Sequence, residues 1–218
     1  MKIYVVGSSK NKFLPLDNIR EKFLIDQPHE GDNIDFLNPW YCELTGLYYL
    51  WKHVDDDIIG LEHYRRYFVN NKGNLLSEGE IREILKDYDV ICRKCIMPAR
   101  FKTLWKSLTA EHKTYLLKFL SLLPEDIQNF IFNRIQTSLF FEQCNMMICN
   151  KDIVDKYFSW FLEYACQFTS KDFYRHKRIF GYISEFIFGS WLLFNNYKIS
   201  YQTVKTFNID LNKIIEIF

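Results

Sequence analysis

The chain has 218 residues, a length at which folding buries roughly 70% of the unfolded surface, so a core can form without disulfides or a metal. Hydrophobic residues make up 48% and charged residues 25%, close to the averages of soluble proteins, which excludes a disordered or fibrous chain. The net charge of +1 argues against a dedicated nucleic-acid binder, whose affinity comes from many phosphate contacts. Because no linker or repeat interrupts the sequence, residues 1–218 are predicted to form a single domain.

The first half of the chain alternates predicted strands and helices. Residues 2–6 are β-branched or aromatic and run into Gly7 and Ser8, which predicts a buried strand followed by a small-residue loop that suits a nucleotide. A helix is predicted from Asn38 to about Lys52, with Pro39 in its first turn. The elements that follow are a strand over 58–61, a capped helix over 77–86 with Ser77 as N-cap, and a strand over 87–92.

Helical periodicity dominates the second half. Three helices are predicted, over residues 109–135 with a break near Pro124, 151–168 and 181–195. Short strands are predicted over 144–149 and 199–203. Together the patterns indicate an α/β fold with a helical C-terminal half.

Cysteine usage and the apolar segments predict a cytoplasmic protein. The six cysteines are interpreted as free thiols, since the N-terminal segment lacks the layout of a signal peptide. The most apolar stretch, 179–194, contains Glu185 and is shorter than the ~20 residues that a membrane-spanning helix requires. We therefore expect a soluble protein, with peripheral contact at the inner face of the cytoplasmic membrane as a further hypothesis.

The first candidate site lies around the strand at 58–61, because ligands in open α/β sheets bind beyond the carboxyl ends of strands. The segment Asp55-Asp56-Asp57 contains an Asp-x-Asp, which many sugar transferases use for a divalent ion, but it precedes the strand and reads more simply as a solvated turn. Beyond the strand, Glu62 and His63 form a candidate ligand pair, and Arg65 and Arg66 can bind phosphate oxygens bidentately. The alternative is two surface ion-pair arginines beside a core histidine.

The second candidate is Glu185, which lies among aromatic and aliphatic residues. Burial would raise its pKa toward the range of a general base. The alternative is a helix carboxylate paired with Arg178. Asn145, flanked by apolar residues on a short strand, is interpreted as a hydrogen-bonding residue of the same cleft.

A basic segment at residues 93–106 carries five cations and no acidic residue, with Phe101 and Trp105 among them. This composition predicts contact with an anionic lipid-linked molecule or an anionic membrane surface. A groove for single-stranded nucleic acid is the alternative, and the nearly neutral chain disfavours it. We therefore predict no nucleic-acid partner.

Four segments occur in an order and spacing typical of one family: GDNIDFLNPWYCELTGLYYLWK, DDDIIGLEHYRRYF, EQCNMMICNKDIVDKYFSWF and RIFGYISEFIFGSWL. Through them, and above all through YCELTGLY at 41–48 and HYRRYF at 63–68, the chain resembles a family of bacterial glycosyltransferases of capsular and exopolysaccharide biosynthesis. The resemblance covers most of the chain. It implies a glycosyltransferase A-like (Rossmann-like) mixed sheet flanked by helices.

The resemblance also implies roles for individual residues. It assigns Asp32, Asn33, Glu43 and Thr45 to the donor pocket, and His63, Arg65 and Arg66 to the donor diphosphate. Gly7 and Ser8, in the loop after the first strand, complete the predicted donor site. Asn145 and Glu185 are expected to face the transferred sugar or the acceptor, as is Tyr182. We predict that Glu185 is the catalytic base or, as the alternative, the carboxylate that positions the acceptor hydroxyl.

The leading functional prediction is a transferase that moves a hexose from a nucleotide-diphosphate sugar, expected to be a UDP-sugar, to a glycan or lipid-linked oligosaccharide. Such chemistry needs a carboxylate to deprotonate the acceptor hydroxyl, and cations or a metal to neutralise the departing diphosphate. Whether a divalent cation takes part is left open. The alternative is a non-catalytic carbohydrate- or nucleotide-binding module whose aromatic residues, 18% of the chain, stack on sugar faces.

Overall fold

A mixed β-sheet forms the centre of the computed structural model, which describes residues 1–96, 109–138, 140–168 and 177–207. The strands in these ranges are β1 (Lys2–Gly7), β2 (Arg20–Leu24), β3 (Ile58–His63), β4 (Arg66–Val69), β5 (Val90–Ile96), β6 (Phe140–Asn150) and β7 (Ile199–Thr206). The α-helices there are α1 (Asn38–Tyr41), α2 (Leu44–His53), α3 (Glu78–Asp87), α4 (Ala110–Leu120), α5 (Glu125–Thr137), α6 (Lys151–Gln167) and α7 (Ile179–Phe194). The predicted α/β class is confirmed.

The strands β2, β1 and β3 lie side by side in that order and are all parallel. In the register of the sheet, Ile3 of β1 lies opposite Arg20 of β2 and Gly60 of β3. The carboxyl ends of the three strands therefore meet at one edge of the sheet, the edge at which α/β proteins bind ligands.

The remaining strands close into a ring. The pairings run from β3 through β4, β7, β5 and β6, and β6 returns to pair antiparallel with β3, so that Met147 lies opposite Leu61. Closure is achieved because β6 is 11 residues long and pairs with β3 and β5 at once. Strands β1 to β3 thus have the expected open, Rossmann-like arrangement, whereas the other strands form a closed ring with β3.

Two core layers cover the faces of the sheet, and the alternation of side chains along each strand divides residues between them. Along β1, Tyr4 belongs to the layer under helices α2 and α4 to α7, whereas Ile3 belongs to the layer under α3. Many of the aromatic rings lie in the first layer, where Tyr157, Phe161 and Phe180 are buried. Much of the high aromatic content therefore serves packing.

The single helix predicted over 38–52 is divided in the structure. Helix α1 ends at Tyr41, Cys42 adopts a left-handed backbone conformation with φ of 52°, and α2 begins at Leu44. A left-handed residue interrupts the helical hydrogen-bond series and redirects the chain. As a result Cys42 and Glu43 lie at the edge of the sheet described above.

Strands β2 and β4 were not predicted, because their sequences lack a clear alternation of apolar and polar residues. In β2 (REKFL) a buried core position is occupied by Arg20. Strand β4 has four residues and follows β3 after a turn at Tyr64 and Arg65. The other predicted strands and helices are present, including the Ser77 cap, whose side chain and that of Glu80 form a reciprocal capping box.

Within the described ranges, no helix is both long enough and apolar enough to cross a membrane. Five of the six cysteines lie in these ranges with described side chains, and they are free thiols. The side chains of the basic segment beyond Arg93 lie outside the described residues, so its predicted contact with a membrane or acceptor stays a prediction.

Candidate active site

An open pocket of about 850 Å³ lies at the edge where the carboxyl ends of β1 and β3 meet. Its walls come from the loop after β1, the break between α1 and α2, the turn between β3 and β4, one residue each of β5 and β6, and the start of α7. Segments from the whole length of the described chain thus converge on one cavity.

Gly7 allows the loop after β1 to contact the turn after β3. A Cβ atom at this position would lie 2.8 Å from Cζ of Phe13 and 2.9 Å from Cβ of Tyr64, closer than side chains approach. The backbone N–H of Tyr64 also donates to the carbonyl of Val6 at 2.9 Å. The loop that carries Ser8 and the turn that carries Arg65 are therefore held together at the pocket.

The alternation of side chains at the end of β3 separates Glu62 and His63, which the sequence suggested as a ligand pair. Successive side chains of a strand point to opposite faces, so His63 lines the pocket whereas Glu62 does not. Glu62 is fully buried and accepts hydrogen bonds from Nε of Arg20 at 2.7 Å and from the N–H of Phe68 at 3.0 Å. The pairing of Glu62 with His63 as ligands is thus wrong, because the carboxylate is committed to Arg20.

Cationic side chains outnumber carboxylates around the pocket. Those that line it among the described residues are Arg65, Arg66, Arg93, Lys177 and Arg178. The carboxylates that line it are Glu43 and Glu185. Such an excess creates a positive potential in a concave site, which favours an anion that carries several phosphate oxygens.

His63 contributes no positive charge near neutral pH. Its Nε2 lies 2.9 Å from the carbonyl oxygen of Cys144, and a carbonyl only accepts, so Nε2 carries the proton and donates. Burial lowers the pKa of His63, which keeps the ring neutral and leaves Nδ1 as a hydrogen-bond acceptor. This acceptor suits a substrate hydroxyl better than a phosphate oxygen.

Glu185 of α7 faces the pocket and is partly exposed there. Burial raises its pKa to about 7, and the nearby charge of Glu43 acts in the same direction. The charges of Arg66 and Arg178 and a hydrogen bond from the backbone N–H of Cys144 act in the opposite direction. A carboxylate that titrates near neutral pH can accept a proton from a bound hydroxyl.

Glu43 and Asn145 form a buried pair behind this carboxylate. The Nδ2 of Asn145 donates to Oε1 of Glu43 at 2.9 Å and to the carbonyl of Gly181 at 3.2 Å. Asn145 is only 2% exposed and does not line the pocket, although the sequence suggested a cleft residue. Its amide contacts Glu43, which does line the pocket.

The predicted site residues that do line the pocket are Gly7, Ser8, Glu43, His63, Arg65, Arg66 and Glu185. Thr45 is buried beside it, and its hydroxyl donates to the carbonyl of Cys42 at 2.7 Å, which stabilises the start of α2. Tyr182 is not among the described lining residues; its ring centroid lies 5.4 Å from the guanidinium of Arg178, which does line the pocket, and 4.8 Å from the ring of His112.

Asp32 and Asn33 are not among the described residues that line the pocket. Asp32 accepts a hydrogen bond from the hydroxyl of Tyr48 at 2.8 Å, and its backbone carbonyl lies 2.7 Å from Nε2 of His53. Asn33 donates to the carbonyl of His29 at 2.7 Å. Both side chains stabilise the loop that leads into α1, so the structure places them outside the pocket to which the resemblance assigned them.

Sequence reasoning did not assign Arg93, Lys177 or Arg178 to the donor site. Arg178 and Lys177 belong to a basic run before α7, and Arg93 stands in the middle of β5. A cluster of charges at the end of an apolar helix is a weak signal, because it also occurs on solvated helix ends. Their convergence on one cavity follows from the sheet order.

Metal ligands are not assembled in the part of the chain that the structure describes. No three or more His, Cys, Asp or Glu side chains are grouped there in a way that could hold an ion. The Asp-x-Asp lies at the opposite end of β3, where Asp57 pairs with Arg82 at 2.8 Å. This placement agrees with the simpler interpretation of that segment as a turn.

Comparisons with known proteins relate this architecture to a described family. The family model for a domain of unknown function, DUF4422, matches residues 2–196. The chain belongs to this family. No curated protein matches the chain.

A solved structure, described as the apo structure of the bifunctional glycosyltransferase WbbM, is similar to this chain with a TM-score of 0.73 and 20% sequence identity. The similarity covers 98% of this chain and 47% of that one, so this chain spans about half the length of the protein it matches. At this identity the similarity shows a shared fold. It supports the glycosyltransferase-like fold that the sequence motifs implied.

Proposed function

We propose that this protein is a glycosyltransferase that moves a hexose from a nucleotide-diphosphate sugar to a glycan or lipid-linked glycan. The observation that carries the proposal is one pocket that is lined both by a cluster of cations and by the carboxylate of Glu185, whose pKa is about 7. These are the two kinds of group that glycosyl transfer from a diphosphate requires.

The cations would act on the leaving group. When the bond between the sugar and the diphosphate breaks, negative charge accumulates on the departing phosphate oxygen. Arg65 in the turn beyond β3, Arg66 at the start of β4 and Arg178 before α7 line the pocket and would stabilise that charge. Guanidinium groups match the geometry of phosphate oxygens and do so without a proton transfer.

Glu185 would act on the acceptor. The acceptor hydroxyl forms the new bond to the sugar carbon, and its proton passes to the carboxylate of Glu185. With a pKa of about 7, a substantial fraction of Glu185 is ionised near neutral pH, and the ionised carboxylate is basic enough to take the proton. His63, with Nδ1 as an acceptor, would bind a sugar hydroxyl nearby.

The proposed class of donor and the proposed biosynthetic process rest on the similarity of the fold and of the sequence motifs to those of glycosyltransferases. The shared fold with a chain named as a glycosyltransferase supports a glycosyltransferase A-like catalytic domain. The sequence motifs favour a UDP-sugar as donor and capsule, exopolysaccharide or lipopolysaccharide synthesis at the inner face of the cytoplasmic membrane as the setting. A divalent cation, if one assists, would have to use ligands other than the Asp-x-Asp at the far end of β3.

The test is to incubate the chain with a panel of nucleotide sugars and to measure release of nucleotide diphosphate, with and without glycan acceptors and with and without Mg²⁺ or Mn²⁺. Slow hydrolysis of one donor, lost in Glu185→Gln, supports the proposal. Saturable binding of a donor with no turnover under any of these conditions would indicate instead a non-catalytic binding module.

A further inference from the structure

Strand β6 contains a local irregularity at the pocket. Cys144 and Asn145 are consecutive non-glycine residues in the left-handed region, with φ values of 72° and 50°. Between the pairs Cys92–Met147 and Lys94–Glu142, the four residues 143–146 of β6 lie opposite the single residue Arg93 of β5. Each left-handed residue costs roughly 1–3 kcal/mol, and such strain is concentrated at functional sites.

The irregularity releases polar groups from the sheet and presents them to the site. The N–H of Cys144 donates to Glu185, and its carbonyl accepts from His63. The side chain of Asn145 donates to Glu43. A regular strand would use these backbone groups in the sheet and direct the side chains elsewhere.

The side-chain NH₂ group of Asn145 is held by two hydrogen-bond acceptors. Its two partners, Oε1 of Glu43 and the carbonyl of Gly181, are both acceptors, so the NH₂ group must point toward them. Its Oδ1 is then buried without a partner among the described residues. A buried acceptor without a donor costs ~1–3 kcal/mol. The contact between Asn145 and Glu43 is therefore kept at a cost to the stability of the fold.

We propose that Asn145 is a positioning residue that holds the carboxylate of Glu43 beside Glu185 and through it tunes the catalytic base. The catalytic part of this inference rests on the proposed function. The positioning part concerns only the protein's own groups.

The charges that face Glu185 come from several elements. Glu43 at the start of α2 is negative, whereas Arg66 of β4 and Arg178 before α7 are positive. The thiols of Cys42 and Cys144 stay uncharged, because burial raises the pKa of both. His63, which faces Glu43, is neutral, since burial lowers its pKa.

Of these groups, Glu43 is the one whose charge makes Glu185 more basic. A donor that holds the Glu43 carboxylate in place keeps its negative charge near Glu185. Asn145 is that donor. Without it, the Glu43 carboxylate would be free to move away from Glu185, which would lower the pKa of Glu185.

The experiment follows the titration of Glu185 in the ligand-free chain by NMR of glutamate carboxyl carbons enriched in ¹³C. The Glu185 signal is assigned by its loss in Glu185→Gln. We expect Glu43→Gln, which removes the charge and keeps the shape, to lower the pKa of Glu185 by ~1 unit or more. Asn145→Gly keeps the left-handed backbone without strain, removes the amide and should shift the titration in the same direction.

The control is Asn196→Gly. Asn196 is also left-handed, with φ of 62°, but it is exposed after α7, away from the pocket, so its variant should leave the Glu185 titration unchanged. An unchanged titration in Glu43→Gln overturns the inference, even if Asn145→Gly does not fold. A shift in Glu43→Gln with none in folded Asn145→Gly overturns the role of Asn145.

The two proposals fail in different ways. The titration uses no substrate, so a shift without turnover on any donor would refute the transferase and leave the positioning intact. Turnover on a donor, with no shift of the Glu185 titration in the variants, would support the transferase and refute the positioning role. In an active enzyme, the acidic limb of the pH–rate profile of Glu43→Gln should move to lower pH in parallel with the NMR titration.

Discussion

Arg20 and Glu62 form an ion pair in which both side chains are fully buried, with Nε of Arg20 2.7 Å from Oε2 of Glu62. Arg20 lies on β2 and Glu62 on β3, and Glu62 also accepts from the N–H of Phe68 on β4. The pair therefore joins three strands directly before the turn that carries Arg65 and Arg66. It fixes the edge of the sheet on which the pocket is built.

Removing one charge of this pair should destabilise the fold strongly. Glu62→Gln removes the buried counter-ion of Arg20 and leaves it only the partly exposed Asp17, 2.6 Å away, so we expect the free energy of unfolding to fall by ~3 kcal/mol in urea titrations. Glu21→Gln is the control. Glu21 follows Arg20 on β2 and pairs with Lys2 at the exposed surface, so its loss should cost ~1 kcal/mol or less. Equal losses in the two variants would contradict a special role for the buried pair.

The cations of the pocket should determine affinity for the nucleotide diphosphate. Replacement of Arg65, Arg66 or Arg178 by Ala should weaken binding by ~10-fold or more each in calorimetry, since each charged hydrogen bond contributes ~1.5–3 kcal/mol. Arg82→Ala is the matched control, because Arg82 is paired with Asp57 and Glu78 away from the pocket. Unchanged affinity in all three folded variants would show that the nucleotide diphosphate does not bind at this site.

Glu185→Gln should separate catalysis from binding. The amide keeps the shape and cannot take a proton, so we expect transfer to fall by ~100-fold or more while nucleotide binding stays near that of the wild type. In the wild-type enzyme, turnover should rise with pH through about 7, because the base acts in its ionised form. A flat profile between pH 5 and 8 would assign the proton transfer to another group.

The same variant should change how stability depends on pH. The pKa of Glu185 is raised from its ordinary 4.5 to about 7 in the folded state, so between these values the folded chain holds a proton that the unfolded chain has lost. The wild type therefore loses stability as pH rises through this window, and Glu185→Gln does not. The melting temperature of the variant relative to the wild type should increase from pH 5 to pH 8. An ion pair with Arg178 as the dominant interaction predicts the opposite trend.

Gly7 should not tolerate a side chain. Gly7→Ala would bring a Cβ to within 2.9 Å of Tyr64 and should both lower the melting temperature and weaken nucleotide binding, because the loop and the turn would separate. Gly79→Ala in α3 is the control, since nothing lies within 4 Å of its Cβ. Ala there should stabilise the helix by up to ~1 kcal/mol. Normal binding by a folded Gly7→Ala would show that the loop contact is dispensable.

Local patterns in the sequence determined most elements of this fold. The strand before Gly7, the strand over 58–61 and the Ser77 cap depend on residues that lie within a few positions of one another, so their spacing is readable along the chain. Glu185 was identifiable for a similar reason, since a single carboxylate in an apolar helix stands out against its neighbours. The same spacing placed Arg65 and Arg66 beyond the end of a strand.

Only the tertiary structure decided which of these groups act together. Asn145 and Glu43 are 102 residues apart, and Arg20 and Glu62 are 42 apart, yet each pair brings a hydrogen-bond donor to a buried carboxylate. No local pattern reports such a partner, because the cost of burying a charge depends on what the rest of the chain brings against it. For that reason the sequence suggested Glu62 as a ligand and Asn145 as a cleft residue, whereas the closed sheet commits the first to Arg20 and places the second behind Glu43.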